Sequence, residues 1–99
     1  MKCIQARYSR RGPNPAELIE AVEVDLADPG SGEVLVEVLA SPINPSDLLT
    51  LTGQYGILPD LPATAGNEGV GRVVEVGTKV QGLSPGQTVL LPLGCGTWA

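Results

Sequence analysis

Hydrophobic and polar positions alternate along most of this chain, and the alternation stops at clusters of Gly and Pro. Residues 2–9 (KCIQARYS) alternate as a strand does. Residues 10–15 (RRGPNP) carry Gly12, Pro13 and Pro15 and predict a turn. Alternation resumes over 18–26 (LIEAVEVDL), stops at the turn Pro29-Gly30-Ser31-Gly32, and resumes most strongly over 33–40 (EVLVEVLA). There Val34, Val36 and Val38 share one face.

Residues 41–45 read as a loop, because Pro42 and Pro45 have no N–H for a ladder. Ser46 is expected to cap a short helix through Asp47, Leu48, Leu49 and Thr50, and Gly53 to end it. Residues 56–65, with Pro59 and Pro62, read as an ordered loop. Residues 69–76 and 88–91 predict two further strands, separated by the turn Leu83-Ser84-Pro85-Gly86, and 94–97 form a second Gly-rich loop. Many short strands with frequent turns predict a mainly β fold, a partly open β-barrel with one or two short helices.

Composition narrows this picture. A chain of 99 residues supports one domain at most. It has no Phe and one Trp, so Val, Leu and Ile must fill the core, which suits a sheet. The net charge is −5, which argues against a nucleic-acid surface and against adsorption to anionic lipid. Arg7, Arg10 and Arg11 are a local exception that reads as a solvated face or a place to meet an anion. No apolar run reaches the roughly 18 residues of a membrane helix. Lys2 is followed at once by polar Gln5 and Arg7, so a secretory leader is not expected. Cys3 and Cys95 are too few for a disulfide scaffold and are expected to be reduced, in the cytoplasm.

Histidine is absent, which removes the Ser–His and Cys–His pairs and the commonest zinc ligand. Two cysteines without a CxxC spacing give no usual zinc site, so no metal is expected. Acid–base chemistry falls to Tyr, Asp, Glu or Lys. Gly69-Val70-Gly71 superficially suggests a dinucleotide fingerprint. It leads into a β-branched run rather than a helix, so close strand packing is the expected role.

Several tracts together resemble one family. Gly66-Asn67-Glu68 stands where zinc-dependent medium-chain dehydrogenases carry a Gly-His-Glu zinc-binding triplet. Pro42-Ile43-Asn44-Pro45-Ser46-Asp47 is similar to the zinc-free branch, at a place where the zinc enzymes keep a cysteine. Gly53-Gln54-Tyr55-Gly56, Leu58-Pro59 and Leu61-Pro62 look most like the mitochondrial-type 2-enoyl thioester reductases, and Gly66–Val70 and Gly96-Thr97-Trp98 agree. The resemblance implies that residues 1–99 are the GroES-like, alcohol dehydrogenase-like N-terminal catalytic domain of a zinc-free reductase. It implies NADPH as cofactor and a Rossmann nucleotide-binding domain outside these residues, so that the 99 residues alone bind little NADPH. The chain end at Ala99 is expected to be a truncation, and the exposed interdomain surface to promote self-association.

The same resemblance makes Tyr55 the catalytic proton or hydrogen-bond donor. Tyrosine side chains, with a reference pKa of about 10, stay protonated at neutral pH and can serve a developing enolate. The plainer reading is a loop aromatic packed over Leu58 and Leu61. Asn44 matches a family asparagine beside the nicotinamide, and an Asx-turn between two prolines is the alternative. Asn67 and Glu68 are expected to hold loops together. Trp98 is read either as a wall of the substrate channel or as a core anchor, and Cys95 as an idle thiol. Three functions compete: reduction of 2-enoyl thioesters, reduction of quinones by the same kind of enzyme, and a stand-alone β-barrel binding or assembly module. A quinone needs no comparable acid partner, so Tyr55 favours the first.

Overall fold

The computed structural model describes all 99 residues. Strands β1 (Lys2–Tyr8) and β2 (Glu20–Asp25) form an antiparallel pair running from Lys2 opposite Asp25 to Arg7 opposite Glu20. Strand β3 (Val34–Ala40) follows, then helix α1 (Pro45–Thr52), strand β4 (Ala63–Thr64), strand β5 (Val70–Val76) and strand β6 (Thr88–Leu90). Two three-stranded antiparallel sheets result, in the orders β2-β1-β4 and β3-β5-β6.

The mainly β architecture with one α-helix agrees with the alternation, but the sheets do not close into a barrel. The molecule measures 42 × 23 × 20 Å, with a radius of gyration of 14.2 Å. A compact chain of this length would reach about 13 Å. Only 12 of the 99 residues are buried, so packing is concentrated in a small region. Tyr8, Leu18, Leu51, Ala63 and Ala65 form that core, with Ile19, Leu61 and Trp98 packed against it. It joins β1, α1 and β4, the elements that surround the candidate site. An apolar cleft of about 470 Å³ lies between the sheets, lined by Val34, Val36 and Val38 and by both cysteines.

Three local expectations change. Leu18 and Ile19 lie outside β2, because Pro15–Glu17 turn as a short 3-10 helix and set Leu18 into the core. Ala63 and Thr64, within the expected loop, pair with Tyr8 and Arg7 as β4. Two residues are too short to show a period of two. Helix α1 begins at Pro45, with Asn44 as its cap in place of Ser46. Proline suits the first helical position because the N–H it lacks would have no partner there. Ser46 is then free to take a long contact, 3.5 Å, from the Asn67 side-chain amide.

Gly69 and Gly71, at the start of β5, act as packing residues, as the β-branched run after them implies. A Cβ at Gly71 would lie 2.9 Å from the Glu37 carbonyl and would overlap Val36. One at Gly69 would lie 3.2 Å from the Ala40 carbonyl. Gly71 pairs with Val38, beside the irregularity between Val38 and Ala40 in the β3–β5 register.

Candidate active site

Helix α1 sets the site. Asp47, in its first turn, is 2% exposed. Its Oδ2 accepts from the Asn44 backbone N–H at 2.6 Å, and its Oδ1 from the Asn67 backbone N–H at 2.8 Å. One carboxylate thus caps the helix, where the helix dipole favours negative charge, and anchors the Gly66-Asn67-Glu68 loop. Asp47→Asn keeps the size but removes the charge and one acceptor. It should lower stability by about 1–3 kcal/mol, read from the urea midpoint. The signal for this role was in the sequence, an Asn followed three residues later by an acid, but the Asn67 partner was not.

At the other end Gly53 adopts φ 86° and terminates the helix, and Gln54 donates its N–H to the Leu49 carbonyl at 2.9 Å. The chain then turns through Tyr55, which is half-buried. Tyr55 lines a cleft of about 180 Å³ together with Tyr8, Asp47, Leu58, Thr64 and Asn67. Leu58 shares the cleft, whereas Leu61 packs against the core.

Tyr8 was not singled out from the sequence. It is 3% exposed and lines the same cleft. Burial pushes its phenol above the ordinary value of 10.0, and the nearby Arg11 charge opposes that rise. The unfolded chain therefore loses this proton first. The contribution to stability is complete below about pH 10 and is lost as pH rises through the raised value. Tyr8→Phe should flatten that alkaline decline, and urea midpoints from about pH 8 to 11 would show it.

Asn44 and Trp98 stand apart from this cleft. Asn44 caps the helix, and its side-chain amide donates to Glu68 Oε2 at 2.5 Å. Glu68 is thereby tied to the helix cap, as expected for a loop-holding carboxylate. Trp98 lines a shallow depression with Ser41 and Ile43, donates Nε1–H to the Pro42 carbonyl at 3.1 Å, and packs against the core. Beneath it, fully buried Thr97 bonds the Ser41 hydroxyl at 2.8 Å, and Ser41 donates to the Glu68 carbonyl at 2.7 Å. The Ser41–Thr97 link was illegible in sequence, because 56 positions separate the two.

No group of three or more His, Cys, Asp or Glu side chains is placed to hold a metal ion. No helix is long and apolar enough to cross a membrane. Both cysteines are free, and burial around the Cys95 sulfur pushes its thiol above the ordinary value of 9.0, with its own backbone N–H opposing. Such a thiol is a weak nucleophile at neutral pH.

The structure is thus a mainly β unit with one capped helix and a tyrosine-bearing loop over a cleft. Residues 30–98 match the alcohol dehydrogenase GroES-like domain, and the chain belongs to that family. Among curated proteins it is similar to the mitochondrial enoyl-[acyl-carrier-protein] reductase of Bos taurus, with 49% identity over 92 residues, 92% of this chain. The chain spans 24% of that relative's length. Its fold is similar to the mitochondrial 2-enoyl thioester reductase heterodimer from Candida tropicalis, with a TM-score of 0.89 and 29% identity. That match covers 99% of this chain and 30% of the other. The quinone oxidoreductase of Escherichia coli complexed with NADPH gives a TM-score of 0.78 and 33% identity, over 92% of this chain and 27% of the other.

Proposed function

We propose that residues 1–99 are the substrate-side domain of an NADPH-dependent reductase of 2-enoyl thioesters, whose nucleotide-binding domain lies outside them. The observation that carries this reading is Tyr55, half-buried, lining the cleft at the C-terminal end of α1. When bound, NADPH supplies a hydride to the β-carbon of the conjugated thioester. Negative charge would then move to the thioester oxygen as an enolate, and the α-carbon would take a proton from solvent. Tyr55 donates its O–H toward that developing charge. Buried Tyr8 lines the same cleft.

Asn44 is the residue we assign to the cofactor side. Its amide nitrogen serves Glu68 and its side chain takes part in the capping box of α1, which fixes it beside the 66–68 loop. Trp98 holds the 41–44 loop through Pro42 and walls the depression beside it. The packed Gly69-Val70-Gly71 offers no phosphate cradle, so these 99 residues alone should bind NADPH negligibly. Exposed Ile43, Ile57 and Leu90 support self-association of the isolated domain. Two free thiols suit a reducing compartment and support a cytoplasmic setting, although the Bos taurus relative is named as mitochondrial.

Quinone reduction is the second reading, favoured by the likeness to the Escherichia coli enzyme. The deciding experiment follows NADPH oxidation by the full-length protein with a 2-enoyl-CoA and with a quinone. Rapid turnover of the thioester and slow turnover of the quinone are expected. The reverse order would replace the first reading by the second.

A further inference from the structure

We infer that Arg11 is the positioning residue that holds the Tyr55 loop in its working shape. This rests on the reading of Tyr55 as the donor, and it starts from how little else holds that loop. Residues 55–61 make no backbone–backbone hydrogen bond. The segment is therefore fixed at its two ends and by whatever side chains reach it.

Arg11 meets the segment on both sides of Tyr55. Its Nη2 donates to the Pro59 carbonyl at 2.5 Å, after Tyr55 in the chain. Its aliphatic stem runs past Gly53, before Tyr55, where an added Cβ would lie 3.3 Å from Arg11 Cδ. One side chain from the turn after β1 thus brackets Tyr55 from the helix end to Pro59, while Arg7 Nη2 donates to the Pro62 carbonyl at 3.5 Å where the segment ends. Gly53 serves twice here, supplying the positive φ that ends α1 and leaving space for the arginine stem.

The surroundings of the guanidinium point the same way. The molecule's two ion pairs are Met1 with Asp25 and Lys2 with Glu23, and neither involves Arg11. Its Nε is buried without a hydrogen-bond partner. A guanidinium held for its charge would meet a carboxylate or stay in water. This one instead leaves a donor unmatched in order to reach a carbonyl, as a group does when its position is dictated by other contacts. A charged donor makes that bond stronger than a neutral one would. Lysine has the charge but not the planar fork with its second arm.

The test uses the full-length enzyme and the variants Arg11→Met, Arg11→Lys and Tyr55→Phe, with the Arg11→Met/Tyr55→Phe double variant. Arg11→Met should lower kcat about ten-fold or more, since small misplacements of a reacting group carry such costs. Arg11→Lys should fall between it and the parent, and KM for NADPH should change little. In the Tyr55→Phe background, Arg11→Met should cause no further loss, because both changes act through the same hydroxyl. Equal losses in both backgrounds, or no loss at all, would overturn the inference.

Chymotrypsin cleavage after Tyr55 gives a readout independent of turnover. Arg11→Met should accelerate it several-fold at temperatures well below global unfolding. Unchanged cleavage would also overturn the inference. Accelerated cleavage in a protein whose Tyr55→Phe variant remains fully active would instead defeat the catalytic reading and leave Arg11 as the loop's clamp.

Discussion

Replacing Tyr55 by Phe in the full-length enzyme should lower turnover of a 2-enoyl thioester by about 10²–10³-fold, the range seen when a single donor to a developing oxyanion is removed. The substitution deletes one hydroxyl and leaves a ring of nearly the same shape, so the cleft formed with Tyr8, Leu58 and Asn67 should persist. On the reading proposed above, that cleft holds the thioester in its ground state, so KM should move far less than kcat. Stopped-flow measurement of NADPH oxidation under saturating thioester would isolate the chemical step. A variant that reduces the thioester at the parent's rate would show that Tyr55 is a packing residue of the loop.

The second large effect should come from Gly66→Ala. Gly66 adopts φ +97° and sits under the chain that leads to Trp98. A Cβ there would overlap the Thr97 hydroxyl, lie 2.5 Å from Trp98 Cδ1, and lie 2.8 Å from the Trp98 backbone nitrogen. That last atom cannot rotate away, since it donates to the Ala65 carbonyl at 2.9 Å. Relief would require moving the 96–98 segment, which also accepts from Ala6 through the Trp98 carbonyl and carries the buried Thr97–Ser41 bond. Left-handed backbone for alanine costs roughly 1–2 kcal/mol and overpacking roughly 1–3 more, so the loss should be about 2–5 kcal/mol. For a small domain with few buried residues that is a large share of total stability. Urea unfolding of the variant should show a much lower midpoint, or no cooperative transition at all. A midpoint equal to the parent's would mean that the Ala65–Trp98 contact is looser than described.

These two predictions draw on different kinds of legibility. Tyr55 was visible in the sequence through the Gly-Gln-Tyr-Gly tract, and the structure adds the cleft around it. Gly66 was visible only as part of a triplet without histidine. Its steric role depends on Thr97 and Trp98, which lie about thirty residues further along and touch it only after folding. Asp47 is intermediate. Its capping of Asn44 is local, three residues apart, whereas its bond to Asn67 spans twenty.

By itself the sequence determined the periodic elements and their punctuation. The alternation over β1, β3 and β5 is a property of neighbouring residues, and the glycine and proline stops act through local backbone sterics. It also determined the available chemistry, since a chain without histidine and with two isolated cysteines must rely on hydroxyls and carboxylates. Tertiary structure alone decided what those groups do. It left the two sheets unclosed, made the two-residue β4 out of a loop, committed Asn44 to Glu68, and brought Tyr8 and Arg11 to the loop that carries Tyr55. Such pairings join positions 24 to 57 residues apart, and no local pattern encodes them. They follow from which surfaces the core around Leu51 brings together.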